Sequence, residues 1–256
     1  MTFTLAAVLG IVEGISEFLP ISSTGHLILA QRLLRMQETE VLKSFDIAIQ
    51  LGAILAVILI YGTSLRRSPK SWLPILVAFI PTAVIGFLLH SIVKTYLLGN
   101  SSVVIWSLFI GGLFILAFEL LYKKKTASVY SLEVMPLKTA FAVGVCQSLA
   151  LIPGVSRSAA TILGGMFLGV DRRTIVDFSF LLAIPTMTAA TAFDLVKSAH
   201  LFSPHDASAL GIGFLAAFVT AYIVVRWLLQ FIQTHTFMIF GLERIIVAIV
   251  FWVLIP

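Results

Sequence analysis

The 256-residue sequence predicts an all-α polytopic membrane protein. The expected architecture is an inverted repeat, each half holding one re-entrant broken helix hairpin and three transmembrane helices, six spans in total. Three observations predict this. Hydrophobic residues make up 59% of the chain and charged residues only 11%, where soluble domains have roughly 45–50% and about 25%. Six stretches approach the ~20 mostly apolar residues that a span requires. Two further apolar stretches, one opening each half, are interrupted by proline and charge.

The elements follow in chain order. Thr2–Ala30 is broken by Glu13, Glu17 and Pro20. The spans Phe45–Tyr61, Trp72–His90 and Val103–Tyr122 come next. Thr139–Leu168 is broken by Pro153, Gly154 and Arg157, and the spans Thr174–Val196, Ala207–Trp227 and Phe237–Pro256 complete the chain. Each broken stretch reads as two short helices joined by a polar turn. Irregular backbone at membrane depth is tolerated where protein buries it. The chain is one integral membrane domain, 1–256, with repeat 1 at about 1–122 and repeat 2 at about 136–256.

This composition excludes a soluble globular domain, a disordered chain and a nucleic-acid-binding protein. The net charge of +5 belongs to basic loops flanking spans. Arg66, Arg67, Lys70, Lys123, Lys124, Lys125, Lys138, Arg172, Arg173 and Arg226 fall on one side. Arg32, Arg35, Lys43, Lys94 and Lys197 fall on the other, so the first side is expected to be cytoplasmic. Both termini then lie outside the cytoplasm. Met1–Val12 carries no basic side chain, so no secretory n-region is expected and the N-terminus is read as part of the mature chain. The one cysteine, Cys146, allows no internal disulfide and no cysteine-based zinc site, and is expected to pack.

The halves are related by an offset of 134 residues. It aligns Gly10–Glu17 with Gly144–Leu151, and Ser22-Ser23-Thr24 with Ser156-Arg157-Ser158. Inverted repeats with broken helices place their sites near the midplane, between the breaks. The ionisable residues at the breaks are costly in an apolar setting and so point to function. Glu13 and Glu17 share a helix face at a spacing of four. Two close carboxylates repel unless a divalent cation or a shared proton relieves them.

After Pro20 come Ser22, Ser23 and Thr24, then His26. Backbone N–H groups at the start of the following helix favour an anion there. The second break supplies Gly154 for close backbone approach, Arg157 as a planar fork for phosphate oxygens, and hydroxyls from Ser156, Ser158 and Thr161. Gln50, deep in the first span, is a further lining candidate. Asp46 and Asp177 near span starts are read as reaching the interface. Glu119 and Asp194 fall near span ends, and His90, His200 and His205 read as loop or interface residues. Glu243 and Arg244 are neighbours inside the last span, and Arg244 is expected to pack against another helix. The set suits an anionic lipid headgroup, a phosphate or diphosphate, carrying a metal ion.

EGISEFLPISSTGH at Glu13–His26 and PGVSRSAAT at Pro153–Thr161 resemble the signatures of the undecaprenyl-diphosphate phosphatases, the bacitracin-resistance family of bacterial inner-membrane enzymes. The stretches opening at Phe45 and Phe178 are also similar to that family's spans. One departure is Ala159, where the family often has glycine. The resemblance implies hydrolysis of undecaprenyl diphosphate to undecaprenyl phosphate and inorganic phosphate, recycling the carrier for peptidoglycan and other envelope polymers. It implies a divalent cation, Mg²⁺ or Ca²⁺, held by Glu13 and Glu17. It implies attack by Ser23, with a positioned water and His26 as rivals, and His26 as general acid/base. Arg157, with Ser22, Thr24, Gly154, Ser156, Ser158, Thr161 and Gln50, would bind the diphosphate. The site would open to the periplasmic side. A polyprenyl-phosphate transporter shares the predicted architecture and is the rival reading; a purely structural membrane subunit would not need the buried Glu, His and Arg. The sequence leaves open whether the chain forms a homodimer.

Overall fold

A computed structural model describes residues 1–37, 39–97, 100–122, 132–198 and 204–254. Lys123, Lys124, Lys125, His200 and Pro256, which entered the sequence reading, lie outside the described residues, as do the side chains of His90, Lys94, Lys197 and His205. Every regular element among the described residues is helical. They run α1 (Phe3–Ser16), α2 (Ser23–Leu33), α3 (Glu40–Arg67), α4 (Trp72–Ile92), α5 (Ser101–Leu121), α6 (Leu137–Gln147), α7 (Arg157–Phe167), α8 (Arg172–Ser198), α9 (Pro204–Phe231) and α10 (Met238–Leu254).

Five of these, α3, α4, α5, α8 and α9, contain stretches long and apolar enough to cross a membrane. The helix α3 outruns the predicted span Phe45–Tyr61 because its polar ends, Glu40 to Ser44 and Gly62 to Arg67, continue the same helix past the apolar run. The predicted sixth span corresponds to α10, with 17 described residues. The first broken stretch is two helices, α1 of 14 residues and α2 of 11. At 1.5 Å per residue neither covers the ~30 Å of a hydrocarbon core. Exposed Phe87, Phe114, Ile223 and Trp252 on α4, α5, α9 and α10 form the outward apolar surface of a multi-pass membrane protein.

Local chemistry sets the helix ends. Thr39 Oγ1 accepts from Leu42 N at 3.1 Å and starts α3. Asn100 Oδ1 accepts from Ser102 N and Val103 N and starts α5. Ser156 Oγ accepts from Ala159 N at 3.2 Å and starts α7. Such caps satisfy first-turn N–H groups that lack an intrahelical partner.

The 134-residue offset recurs in the backbone. Ser22 (φ 75°) and Ser156 (φ 74°) hold the same left-handed conformation just before α2 and α7, and Arg35 (φ 54°) and Gly169 (φ 88°) do so just after them. Few residues besides glycine adopt this region without cost. The packing partners recur too. The helix α1 packs on α9 as α6 packs on α4, and α3 packs on α9 as α8 packs on α4, while α3 meets α8 and α5 meets α10. Gly10 and Gly144 make the two matching crossings close. A Cβ at Gly10 would stand 2.3 Å from the Gly213 carbonyl oxygen, and one at Gly144 would stand 2.0 Å from that of Ala78. Small residues at such crossings let helix backbones touch. The result brings the α1–α2 and α6–α7 turns together against α3 and α8.

Candidate active site

Break one runs from Glu17 to Ser22. Pro20 cannot donate a backbone hydrogen bond, so the helix stops and the chain turns, with Ile21 N donating to Leu19 O at 2.8 Å. Break two begins in a short tight helix, Ser148–Leu151, and turns at Pro153 and Gly154, whose φ is 91°. A Cβ on Gly154 would meet Ser107 Cβ and the Val104 carbonyl oxygen, each at 2.8 Å, so only glycine lets this turn lie on α5.

A cavity opens between the breaks. Break one lines it with Glu17, Ser22, Ser23 and Thr24, and break two with Pro153, Gly154, Ser156 and Arg157. Gln50 from α3, Met187 from α8 and Ala150 complete the lining. Eight of the predicted site residues therefore meet here: Glu17, Ser22, Ser23, Thr24, Gln50, Gly154, Ser156 and Arg157.

One connected group crosses from break to break. Ser23 Oγ donates to Glu17 Oε2 at 2.5 Å. Arg157 Nη2 donates to Glu17 Oε1 at 2.8 Å, in an ion pair whose side chains are 11% and 6% exposed. Arg157 Nη1 donates to the Ser179 carbonyl at 2.9 Å, and its guanidinium lies 5.5 Å from the centre of the Phe18 ring. Arg157 Nε is buried and has no hydrogen-bond partner among the described residues. A buried cationic donor without a partner is costly unless an acceptor completes it.

The other predicted site residues lie outside the cavity lining. Glu13 stands one helical turn before Glu17, fully buried, with neither carboxylate oxygen partnered among the described residues. His26 is turned toward α10. Its Nδ1 stands 2.8 Å from the Ser22 carbonyl and its Nε2 2.6 Å from Glu243 Oε1. The carbonyl can only accept, so Nδ1 carries a proton and Nε2 shares one with Glu243. In the structure Glu17 is the group beside Ser23 Oγ, and both nitrogens of His26, expected to take the serine proton or deliver one to the leaving group, face Ser22 and Glu243.

Ser158 and Thr161 are fully buried beneath the cavity surface. Thr161 Oγ1 lies 2.6 Å from Ser179 Oγ and so ties α7 to the strip of α8 that holds Arg157. Thr161 thus braces the part of α8 that holds Arg157, while the buried Ser158 Oγ has no hydrogen-bond partner among the described residues. Asp46 and Asp177 do not simply reach the interface. Asp46 accepts from Gln31 Nε2 at 2.7 Å, and Asp177 accepts from the Tyr61 hydroxyl. Glu119 pairs with Arg172 at 2.8 Å.

Sequence reasoning missed Ser179, Met187 and Phe18 around Arg157, and the partners of Glu243 and Arg244. The first three are uncharged or apolar and carry no local signal. The last two did carry one, as ionisable residues inside an apolar segment, but their partners are more than eighty residues away in the chain.

Residues 6–250 match the family model described as bacitracin resistance protein BacA. The chain is 52% identical over 251 residues to the undecaprenyl-diphosphatase of Aquifex aeolicus, covering 98% of each. It is 47% identical over 257 residues to the undecaprenyl-diphosphatase of a Sulfurihydrogenibium species, covering 98% of this chain and 99% of that one. Against the undecaprenyl-diphosphatase of Thermus thermophilus the identity is 49% over 249 residues, covering 96% and 95%.

Proposed function

This chain belongs to the bacitracin resistance protein family, and from that premise we propose how its site acts as an undecaprenyl-diphosphate phosphatase. The protein hydrolyses undecaprenyl diphosphate to undecaprenyl phosphate and inorganic phosphate. The reaction returns the lipid carrier to peptidoglycan synthesis and underlies resistance to bacitracin. The observation that carries the reading is the Ser23–Glu17–Arg157 group, which joins nucleophile, base and phosphate fork across the two breaks.

Ser23 Oγ attacks the terminal phosphorus while Glu17, 2.5 Å away, accepts the hydroxyl proton. The bond from that phosphorus to the bridging oxygen breaks, and undecaprenyl phosphate leaves with the bridging electron pair. Water then attacks the phosphoserine as Glu17 returns its proton to Ser23 Oγ, so the hydroxyl and the carboxylate are both restored and inorganic phosphate leaves carrying the water's oxygen and hydrogens. Arg157 turns its fork from Glu17 to the phosphoryl oxygens, and its unpartnered Nε gains an acceptor. Phosphoryl transfer asks mainly for such positioning and charge neutralisation. Gln50, Ser22, Thr24, Ser156 and the Gly154 backbone complete the headgroup contacts.

The buried carboxylate of Glu13, with both oxygens unpartnered, fits a hard divalent cation, which Glu13 and Glu17 would hold together. Among the described residues no cluster of three or more His, Cys, Asp or Glu suits a metal, so substrate phosphate and water would supply the other oxygen ligands. A cation there would neutralise charge on the diphosphate. The recurring φ angles and packing partners support two inverted halves, 1–122 and 136–256, with α10 as a sixth span. The distribution of Lys and Arg supports termini outside the cytoplasm, and the family resemblance supports a bacterial inner-membrane protein whose site opens toward the periplasm.

The test is phosphate release from a C55 polyprenyl diphosphate by purified protein in detergent, with and without chelator. Stoichiometric phosphate and polyprenyl monophosphate are expected, falling on chelation. Absence of phosphate release would sink the reading, and release unchanged by chelator would remove the cation from it.

A further inference from the structure

The mechanism above leaves one large buried group unused. Arg244, on α10, is fully buried. Its guanidinium reaches five backbone carbonyls. Nη1 donates to Pro20 at 3.3 Å and Val155 at 2.9 Å, Nη2 to Gly154 at 2.8 Å and Ser107 at 2.9 Å, and Nε to Leu108 at 3.4 Å. Pro20 belongs to break one, Gly154 and Val155 to break two, and Ser107 and Leu108 to α5. One side chain therefore holds both breaks against a common wall.

The orientation of these carbonyls matters. All peptide bonds among the described residues are trans, and across a trans peptide C=O and the next N–H point in opposite directions. Carbonyls turned toward Arg244 direct the N–H groups of Ile21, Val155 and Ser156 away from it. The helix α5 is hollowed to admit the guanidinium. A Cβ on Gly111 would lie 2.2 Å from Nη2.

We propose that Arg244 is a positioning residue for phosphoryl transfer. It fixes the spacing and orientation of the two breaks, and so of Ser23 against Arg157, through backbone carbonyls and without touching the substrate. A planar fork with five donors serves five carbonyls on three segments at once, whereas an ammonium has only three donors, all on one atom. This inference rests on the phosphatase reading of the same site.

The test measures kcat and KM for a C55 polyprenyl diphosphate, per folded molecule isolated as a monodisperse peak in detergent. The variants are Arg244→Lys and Gly111→Ala. The second keeps the arginine and drives a methyl group into it, so it carries the test if the first does not fold. Both should lose about a hundred-fold in kcat, the scale of a misplacement near 1 Å, with KM little changed. A structural role alone would lower the yield of folded protein and leave kcat per folded molecule near wild type, which would overturn the proposal. A raised KM with unchanged kcat would overturn it too, by assigning the arginine to ground-state binding. Wild-type protein that releases no phosphate would remove the phosphatase reading and the positioning role with it. An active wild type with unaffected variants would remove the positioning role alone.

Discussion

Glu17→Gln tests the assignment of the base with almost no change of shape. Glu17 uses both carboxylate oxygens, Oε2 toward Ser23 and Oε1 toward Arg157. A glutamine has one acceptor oxygen and one amide nitrogen that only donates. Whichever way the amide turns, either Ser23 or Arg157 faces a donor, and no orientation gives the serine a base. Loss of a general base costs about 10²–10⁴-fold, on the order of 3–5 kcal/mol of transition-state stabilisation. The ion pair is nearly buried, with side chains 11% and 6% exposed. Removing one partner of such a pair costs about 3–5 kcal/mol of stability, and the nearby carboxylate of Glu13 offsets part of that. Glu13→Gln is the matched control, because Glu13 bonds neither Ser23 nor Arg157 in the structure. It should keep much of its kcat at saturating Mg²⁺ or Ca²⁺ while needing more cation for half-maximal rate. The assay is single-turnover phosphate release across a cation titration. A Glu17→Gln enzyme near wild type in rate, or two variants with the same profile, would refute the division of labour between the carboxylates.

Further outcomes follow from the same geometry. Arg157→Lys keeps the charge but gives up the fork shared among Glu17, the Ser179 carbonyl and phosphate; losing two charge-assisted bonds at about 1.5 kcal/mol each predicts a fall of roughly a hundred-fold in kcat/KM, and near-wild-type turnover would remove Arg157 from the site. Quenched enzyme with β-labelled substrate should carry an acid-stable, alkali-labile phosphoserine that disappears in Ser23→Ala; an acid-labile, alkali-stable label retained in that variant would reassign attack to His26. His26→Gln should leave a slow enzyme, since it loosens Ser22 and α10 without removing the group beside Ser23, and complete loss of turnover would return His26 to the chemistry. Gly144→Ala would press a methyl group to 2.0 Å from the Ala78 carbonyl oxygen, so a cost of about 1–3 kcal/mol should lower the melting temperature in detergent, and an unshifted melt would contradict the close α4–α6 crossing.

Much of the architecture could be read from the chain because the bilayer makes sequence unusually legible. Apolar runs of span length mark α3, α4, α5, α8 and α9, since an uncovered polar group in hydrocarbon is costly. Pro20 and the Pro153-Gly154 pair marked the breaks because charged and hydroxyl residues surround them, whereas Pro81 and Pro185, in apolar runs, stay inside α4 and α8. The offset of 134 residues was visible in a few identities and returned in the backbone angles of Ser22 and Ser156. Residue type alone also marked Glu17, Ser23 and Arg157 as site candidates, because charge and hydroxyls are expensive where they sit.

Tertiary structure decided which candidates face one another. Helical spacing puts His26 close to Ser23, yet a carboxylate 217 residues away in the chain takes its Nε2, and Glu17 is left as the partner of the serine. Ser158 and Thr161 belong to the same motif as Arg157, but the rotation of α7 against α8 turns them into the core. Arg244 read as a packing residue because nothing near it in sequence needs a guanidinium. Its partners are carbonyls, which every residue carries and no sequence pattern marks, and only folding brings those of Pro20, Gly154 and Val155 to the same point.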